Sequence, residues 1–262
     1  MSHVFLREGI TPDPLPATDI HIPRKIWQTS KDTNLIPQAL LDCIANLKAM
    51  NPNWEHTLFD DKTQLAFIKN VCSERFINAY QRIQPLHGAA RADIFRYLII
   101  YLYGGVYLDL KSGTTRPLDK ILRENDAFII SQWDNGPSGR FPGGGLWSEL
   151  KNIPGGEYEQ WNVIAAPGHP FLAAVLEQIL DNIENYNALK FGHGAKSVLR
   201  VTGPKVYTLT IHPLLKQFPH RKVVSYPEGL SYTSLGKSPR APAHGKLDPL
   251  HYSRHVVAPV TS

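Results

Sequence analysis

Residues His87 to Leu118, HGAARADIFRYLIIYLYGGVYLDLKSGTTRPL, leave a folding chain few options. Ile94, Phe95, Leu98, Ile99 and Leu102 recur at the spacing of one helix face, which predicts a helix from His87 to Tyr103. Gly104 and Gly105 stop it, because glycine accepts the left-handed backbone that a helix end often needs. The next six residues alternate and predict a strand from Val106 to Lys111. Val106, Leu108 and Leu110 point one way, and Tyr107, Asp109 and Lys111 the other. A strand showing an aromatic, an acid and a base on one face reads as the floor of a polar site. On the helix, Asp93 and Arg96 are three apart and share a face. Charges in so apolar a helix are costly to bury unless they are paired or bound.

Strands separated by helices follow on both sides, the pattern of an α/β layer fold. Ile22–Ser30 and Trp54–Phe59 read as strands, Gln38–Met50 as an amphipathic helix, and Lys62–Asn70 and Glu74–Ile83 as further helices. Beyond the central stretch come a short helix at Lys120–Glu124 and a strand at Ala127–Gln132. A long glycine- and proline-rich loop, about 134–160, carries a weak helical piece at Leu146–Lys151. Asn162–Ala166 reads as a strand, Pro170–Ile183 as a helix, and 185–200 as a second loop. Gly203–Phe218 is helical, Lys222–Tyr226 is a last strand, and a loop-like tail fills 227–262. Residues 1–21 read as an extended arm, leaving 22–262 as one domain. Long loops in compact domains are often lids or binding loops. The sheet is expected to be mixed but mostly parallel, with its ligand beyond the carboxyl ends of the strands. Asp109 and Lys111 stand at such an end.

Composition narrows the class. Of 262 residues, 42% are hydrophobic and 19% charged, the balance of a soluble globular protein. The longest apolar run in the helix, Tyr97 to Tyr103, is far shorter than a membrane span. The first residues, MSHVFLREGITPDPLP, lack a secretory layout, so the expectation is a cytoplasmic protein. Two cysteines, Cys43 and Cys72, make neither a disulfide framework nor a cysteine metal site. A net charge of +5 is compatible with nucleic acid, but no Lys/Arg run exceeds two residues. Phosphorylated substrates or peripheral contact with an anionic membrane suit that charge equally well.

The central stretch resembles the core signature of glycosyltransferase family 32. This group includes the initiating α-1,6-mannosyltransferases and is related to the DXD-containing sugar-transferase toxins. The pattern is a helix with R-A-D-x-x-R-Y, then Gly-Gly, then Y-x-D-x-D. Here it reads Arg91-Ala92-Asp93, Arg96-Tyr97, Gly104-Gly105 and Tyr107-Leu108-Asp109. IPRKIWQTS resembles the family's first strand, and APGHPF, Ala166 to Phe171, a later segment. The resemblance spans roughly residues 22–215.

It implies a GT-A (Rossmann-like) fold, a UDP- or GDP-sugar donor, and transfer with retention; with no span or signal in view, the expected setting is bacterial surface polysaccharide synthesis on a glycan or lipid-linked acceptor. Asp93 and Arg96 would meet the donor sugar, and Asp109 the ribose or a metal. Residues 22–29 would line the base, with Trp27 as a stacking platform beside Gln28 and Thr29. Arg91, Gly105 and Tyr107 belong to the same donor set, and Trp133, Asp134 and Asn162 are the acceptor candidates. A Mn²⁺ or Mg²⁺ ion commonly neutralises the leaving diphosphate in this fold. One departure matters: Lys111 stands where the family has the second aspartate. Protonated lysine cannot ligate a metal, but it can place a positive charge beside a diphosphate. The rival is a metal held by Asp109 and His251. A toxin-like protein glycosyltransferase and a non-catalytic sugar-nucleotide binder are the alternative functions.

Overall fold

The computed structural model describes residues 21–233 and 257–261. The N-terminal arm and His251 lie outside the described residues. The strands are β1 (Lys25–Thr29), β2 (Glu55–Phe59), β3 (Gly105–Leu108), β4 (Gly113–Thr114), β5 (Phe128–Gln132), β6 (Asn162–Ala165), β7 (Arg221–Val224) and β8 (Leu230–Ser231). The α-helices are α1 (Gln38–Met50), α2 (Asp61–Val71), α3 (Glu74–Arg82), α4 (Gly88–Tyr103), α5 (Pro170–Glu184), α6 (Ala188–Phe191), α7 (Gly194–Val201), α8 (Pro204–Ile211) and α9 (Ser225–Glu228).

Six strands form one sheet in the order β2-β1-β3-β6-β5-β7. β1 is parallel to β2 and β3, and β5 to β7, while β6 runs antiparallel to both neighbours. The mixed, mostly parallel sheet is the expected one. Its register sorts the core. Ile26, Val106, Ile164 and Ile129 line up on one face, where they join Leu47, Trp54 and Leu118. Trp27, Tyr107 and Val163 line up on the other, beneath α4 and α5. α4 is buried over most of its length, which is why apolar residues fill more than one stripe of it. It ends at Gly104 (φ 63°) and Gly105 (φ 101°). A Cβ at Gly105 would lie 2.5 Å from the Lys25 carbonyl oxygen, so the chain must be glycine for β3 to start beside β1.

The structure revises several boundaries. The central strand stops at Leu108. Asp109 to Ser112 is a turn, closed by the Ser112 N–H on the Asp109 carbonyl at 2.8 Å, so Asp109 and Lys111 sit beyond the strand instead of along it. The helices expected at Lys120–Glu124 and Leu146–Lys151 shrink to single 3₁₀ turns, Leu118–Lys120 and Ser148–Leu150. The 185–200 segment contains α6 and α7. The tail begins with α9 and β8, the latter pairing with β4. Aliphatic periodicity is weak in such short elements, and the contacts that hold them are long-range.

Candidate active site

At the carboxyl end of β3, one arginine gathers the site. Arg96 projects from the middle of α4 and is 4% exposed. Its Nη2 lies 3.4 Å from Asp93 Oδ1 and 3.3 Å from Asp109 Oδ1. Its Nη1 donates to the Gln160 carbonyl at 2.6 Å and also to the Gln160 side-chain oxygen, and its Nε donates to the Ala92 carbonyl at 3.2 Å. The guanidinium covers the Tyr107 ring at 4.7 Å. Burial works against the Arg96 charge, but Tyr107, Asp109 and Asp93 outweigh it and hold its pKa above the ordinary value. Asp93, 2% exposed, also accepts the Thr202 hydroxyl at 2.8 Å. Burial raises its pKa, with Arg96 and Thr202 opposing.

Asp109 is the open member, its side chain 24% exposed. Tyr107 donates its hydroxyl to Asp109 Oδ1 at 3.2 Å and in turn accepts the Thr29 hydroxyl at 2.9 Å. Gln28 Nε2 donates to the Asp109 backbone carbonyl at 3.3 Å, and the Gln28 side-chain oxygen accepts from His56 Nε2 at 2.9 Å. The Asp109 N–H reaches the Trp161 carbonyl at 2.9 Å. The carboxylate is thus held on its backbone and on one oxygen, the preorganisation expected of a charge that must meet a ligand in a fixed place.

Lys111 occupies the next corner of the turn. It is 4% exposed, and its Nζ sits 3.7 Å from the Tyr232 ring centroid. Burial pushes the ammonium down to about 8. Tyr232 belongs to a cluster with Trp133 (5.0 Å), Trp161 (5.7 Å) and Phe141 (6.1 Å).

Of the residues singled out in the sequence, Asp93, Arg96, Tyr107, Asp109, Gln28 and Thr29 converge. Gly105 serves the backbone junction. Two donor candidates lie elsewhere. Trp27 offers no open ring face: it is 6% exposed, packed by Phe59 and Tyr103, with its indole N–H on the Gly104 carbonyl at 2.8 Å. Arg91 donates through Nε and Nη2 to the Ile83 carbonyl and braces the α3–α4 corner. Asp93 and Arg96 do not open to solvent, so they back the site and Asp109 fronts it.

The acceptor candidates have mixed placements. Trp133 is half-buried in the aromatic cluster, its indole donating to Glu157 Oε1 at 2.7 Å. Asp134 Oδ2 accepts the Arg140 N–H at 2.8 Å and thereby turns the glycine loop. Asn162 is buried opposite Leu108, accepting the Ser131 hydroxyl at 3.0 Å. Sequence reasoning missed Gln160, Thr202, His56, Tyr232 and Glu159. None belongs to a recognisable motif, and Thr202 is 109 positions from Asp93.

Among the described residues, the donor set does not fit a divalent cation. Asp109 is the sole carboxylate among them at the mouth, one of its oxygens is already shared by Tyr107 and Arg96, and an ammonium stands where a second ligand would be. Among the described residues, no three His, Cys, Asp or Glu side chains gather into a metal-holding group.

The fold is that of GT-A glycosyltransferase domains. Two solved structures are similar over most of the chain. The PaToxG glycosyltransferase covers 74% of this chain and 70% of its own, with TM-score 0.51 and 16% identity. The ligand-free glycosyltransferase domain of the YGT toxin covers 86% and 84%, with TM-score 0.54 and 10% identity. Residues 37–128 match the family described as "Glycosyltransferase sugar-binding region containing DXD motif", and over those residues the chain is similar to that family. It is 25% identical over 197 residues to the initiation-specific alpha-1,6-mannosyltransferase of Schizosaccharomyces pombe, covering 71% of this chain and 47% of that protein. It is 30% identical over 183 residues to inositol phosphoceramide mannosyltransferase 3 of the same yeast, covering 70% and 43%. The chain spans about half the length of the curated relatives it matches.

Proposed function

We propose that this chain is a retaining glycosyltransferase that transfers a sugar from a UDP- or GDP-sugar to a glycan or glycolipid acceptor. The observation that carries the reading is the Asp109 carboxylate, held half-open at the strand end by Tyr107, Gln28 and the fully paired Arg96. A site built this way costs little reorganisation when the donor binds. Mannosyl transfer is the favoured activity, since the relatives named above are mannosyltransferases acting in glycan initiation and on inositol phosphoceramide.

The acceptor side falls to the loops at 134–160 and 185–200. Glu157 receives the indole N–H groups of both Trp133 and Trp147 and pins the glycine loop to the cluster around Tyr232. Glu149 from that loop pairs with Arg200 and Lys205. Together with α5 and α8, Glu149, Lys190, Phe191, Arg200 and Lys205 line a groove of about 750 Å³. A pinned, part-apolar wall suits a sugar chain. The finer setting we propose is surface-glycan synthesis in a bacterial cytoplasm, at the inner face of the membrane. Its support is the net charge of +5.

The second reading, a non-catalytic sugar-nucleotide binder, is favoured by Lys111 in the place of an acidic residue. Release of nucleoside diphosphate from a panel of UDP- and GDP-sugars separates the two. Turnover by the wild-type protein, lost by more than about a hundredfold in Asp109→Ala with the circular dichroism unchanged, is the expected outcome. An equally active Asp109→Ala variant would remove Asp109 from the mechanism.

A further inference from the structure

Lys111 is the one residue of the cluster whose charge has nowhere to go. Arg96 spends its donors on Gln160, Ala92, Asp93 and Asp109. Lys111 is equally buried, yet among the described residues its Nζ has no hydrogen-bond acceptor and no carboxylate within salt-bridge distance. Its neighbour is the face of Tyr232, 3.7 Å from the ring centroid. An aromatic face offsets part of the desolvation of an ammonium but accepts none of its three N–H bonds in the way an oxygen does. A cation on a largely buried side chain with no oxygen partner is costly, and an anion relieves that cost. The turn that carries Lys111 is tethered. Ser112, next in the chain, donates its hydroxyl to the Tyr232 carbonyl at 2.8 Å, and the Ser112 N–H closes the turn on Asp109. The turn therefore holds a cationic donor set just past the carboxyl end of β3, beside the half-open Asp109.

We propose that Lys111 Nζ binds the diphosphate of the nucleotide-sugar donor, in the place a divalent cation would otherwise hold, and that donor binding here needs no metal. This rests on the glycosyltransferase reading above and names how that site handles its leaving group. In the transfer, the bond between the anomeric carbon and the diphosphate oxygen breaks and its electron pair goes to that oxygen. The acceptor oxygen bonds to the anomeric carbon, and the acceptor proton passes to the departing diphosphate. Lys111 donates hydrogen bonds to the diphosphate throughout and keeps its own proton count, so it replaces the charge of a metal without entering the balance.

Titration calorimetry with UDP and with GDP, each in excess EDTA and again with Mn²⁺, tests this on the wild-type chain, Lys111→Met and Lys111→Asp. The expected result is wild-type binding in EDTA, changed less than about threefold by Mn²⁺, and a loss of more than about tenfold in Lys111→Met. Lys111→Asp should bind only when Mn²⁺ is added, because the substitution restores the second carboxylate. Thermal melts of the variants serve as the folding control. Lys111→Met should melt no lower than wild type, since it removes a buried charge without a partner. Wild-type binding that disappears in EDTA and returns with Mn²⁺ would overturn the lysine assignment while leaving the donor site standing. So would full-affinity binding by a folded Lys111→Met. Failure of the wild type to bind either nucleotide in either condition would overturn the donor site itself, and this assignment with it.

Discussion

Glu159 shows how much of this site is held from behind. Its Oε1 accepts the Ser225 hydroxyl at 3.1 Å, the side chains of Ser131 and Trp161 face the same carboxyl, and Oε2 has no hydrogen-bond partner among the described residues. The two residues after it are Gln160, which holds Arg96, and Trp161, whose carbonyl holds the Asp109 N–H. Burial pushes the Glu159 carboxyl up from 4.5 to about 7, with Glu157 adding a smaller push the same way. The folded state therefore binds more protons than the unfolded chain between those two values, and stability falls as pH rises through that window. The penalty is absent below about 4.5 and complete above about 7, on the order of 3 kcal/mol by the conversion of pKa shift to free energy. Glu159→Gln removes the titration. In urea unfolding, its stability relative to wild type should be about 2 kcal/mol more favourable at pH 8 than at pH 5. The same difference at both pH values would show that Glu159 does not carry a shifted carboxyl. A second residue-level prediction concerns Arg96. Arg96→Ala strands Asp93 in the core without its counter-charge and should cost about 3–5 kcal/mol in the same assay. Asp93 with Arg96 and Tyr107 with Asp109 were legible as two pairs from helix and strand spacing, and the family resemblance joined them into one site. Gln160, Thr202 and Glu159 were not, because they reach the cluster by packing between segments far apart in the chain.

At the level of elements, the helix–glycine–strand unit was readable and its end was not. The hydrophobic period of α4, the Gly-Gly stop and the alternation after it each reflect a local rule, and the structure keeps the first two and the alternation as far as Leu108. The error came at Leu110. Alternation alone extends the strand through Lys111, whereas the turn at Asp109–Ser112 is made by a backbone bond within the turn and by the tether of Ser112 to Tyr232, 120 positions away. That error mattered, because a strand would have aimed Lys111 and Asp109 the same way, and the turn instead seats Lys111 against Tyr232. Trp27 is the other lesson. An aromatic at the end of a first strand fits a base platform or a core equally well from sequence, and the indole bond to Gly104 decides for the core. The junction itself can be tested. Gly105→Ala places a methyl group 2.5 Å from the Lys25 carbonyl at a φ of 101° and should lower stability by about 2 kcal/mol or more. Gly136→Ala, where a Cβ meets nothing within 4 Å, should stay within about 0.5 kcal/mol of wild type. Equal melting temperatures for the two variants would contradict the close approach of β1 and β3.

On the scale of the whole molecule, the sheet order brings residues from three regions of the chain to one end. β1 supplies Gln28 and Thr29, α4 and β3 supply the charges, and the segment entering β6 supplies Gln160 and Trp161. The antiparallel β6 is what makes this possible. It enters the sheet where β3 leaves it, so the residues just before β6 lie beside Asp109. The fold class was legible because it follows from the alternation of elements. The acceptor side was not, since the glycine loop and the 185–200 segment take their shape from single side-chain anchors such as Glu157 and Glu149. Following the anomeric proton of the sugar by NMR tests the central claim most directly, in a reaction of the wild-type chain with the donor it turns over and, in parallel, with Asp109→Ala. The account predicts donor consumption by the wild type, a first-formed product with the donor's anomeric configuration, and an unconsumed donor in the variant. No consumption of any UDP- or GDP-sugar, or a first-formed product of inverted configuration, would contradict it.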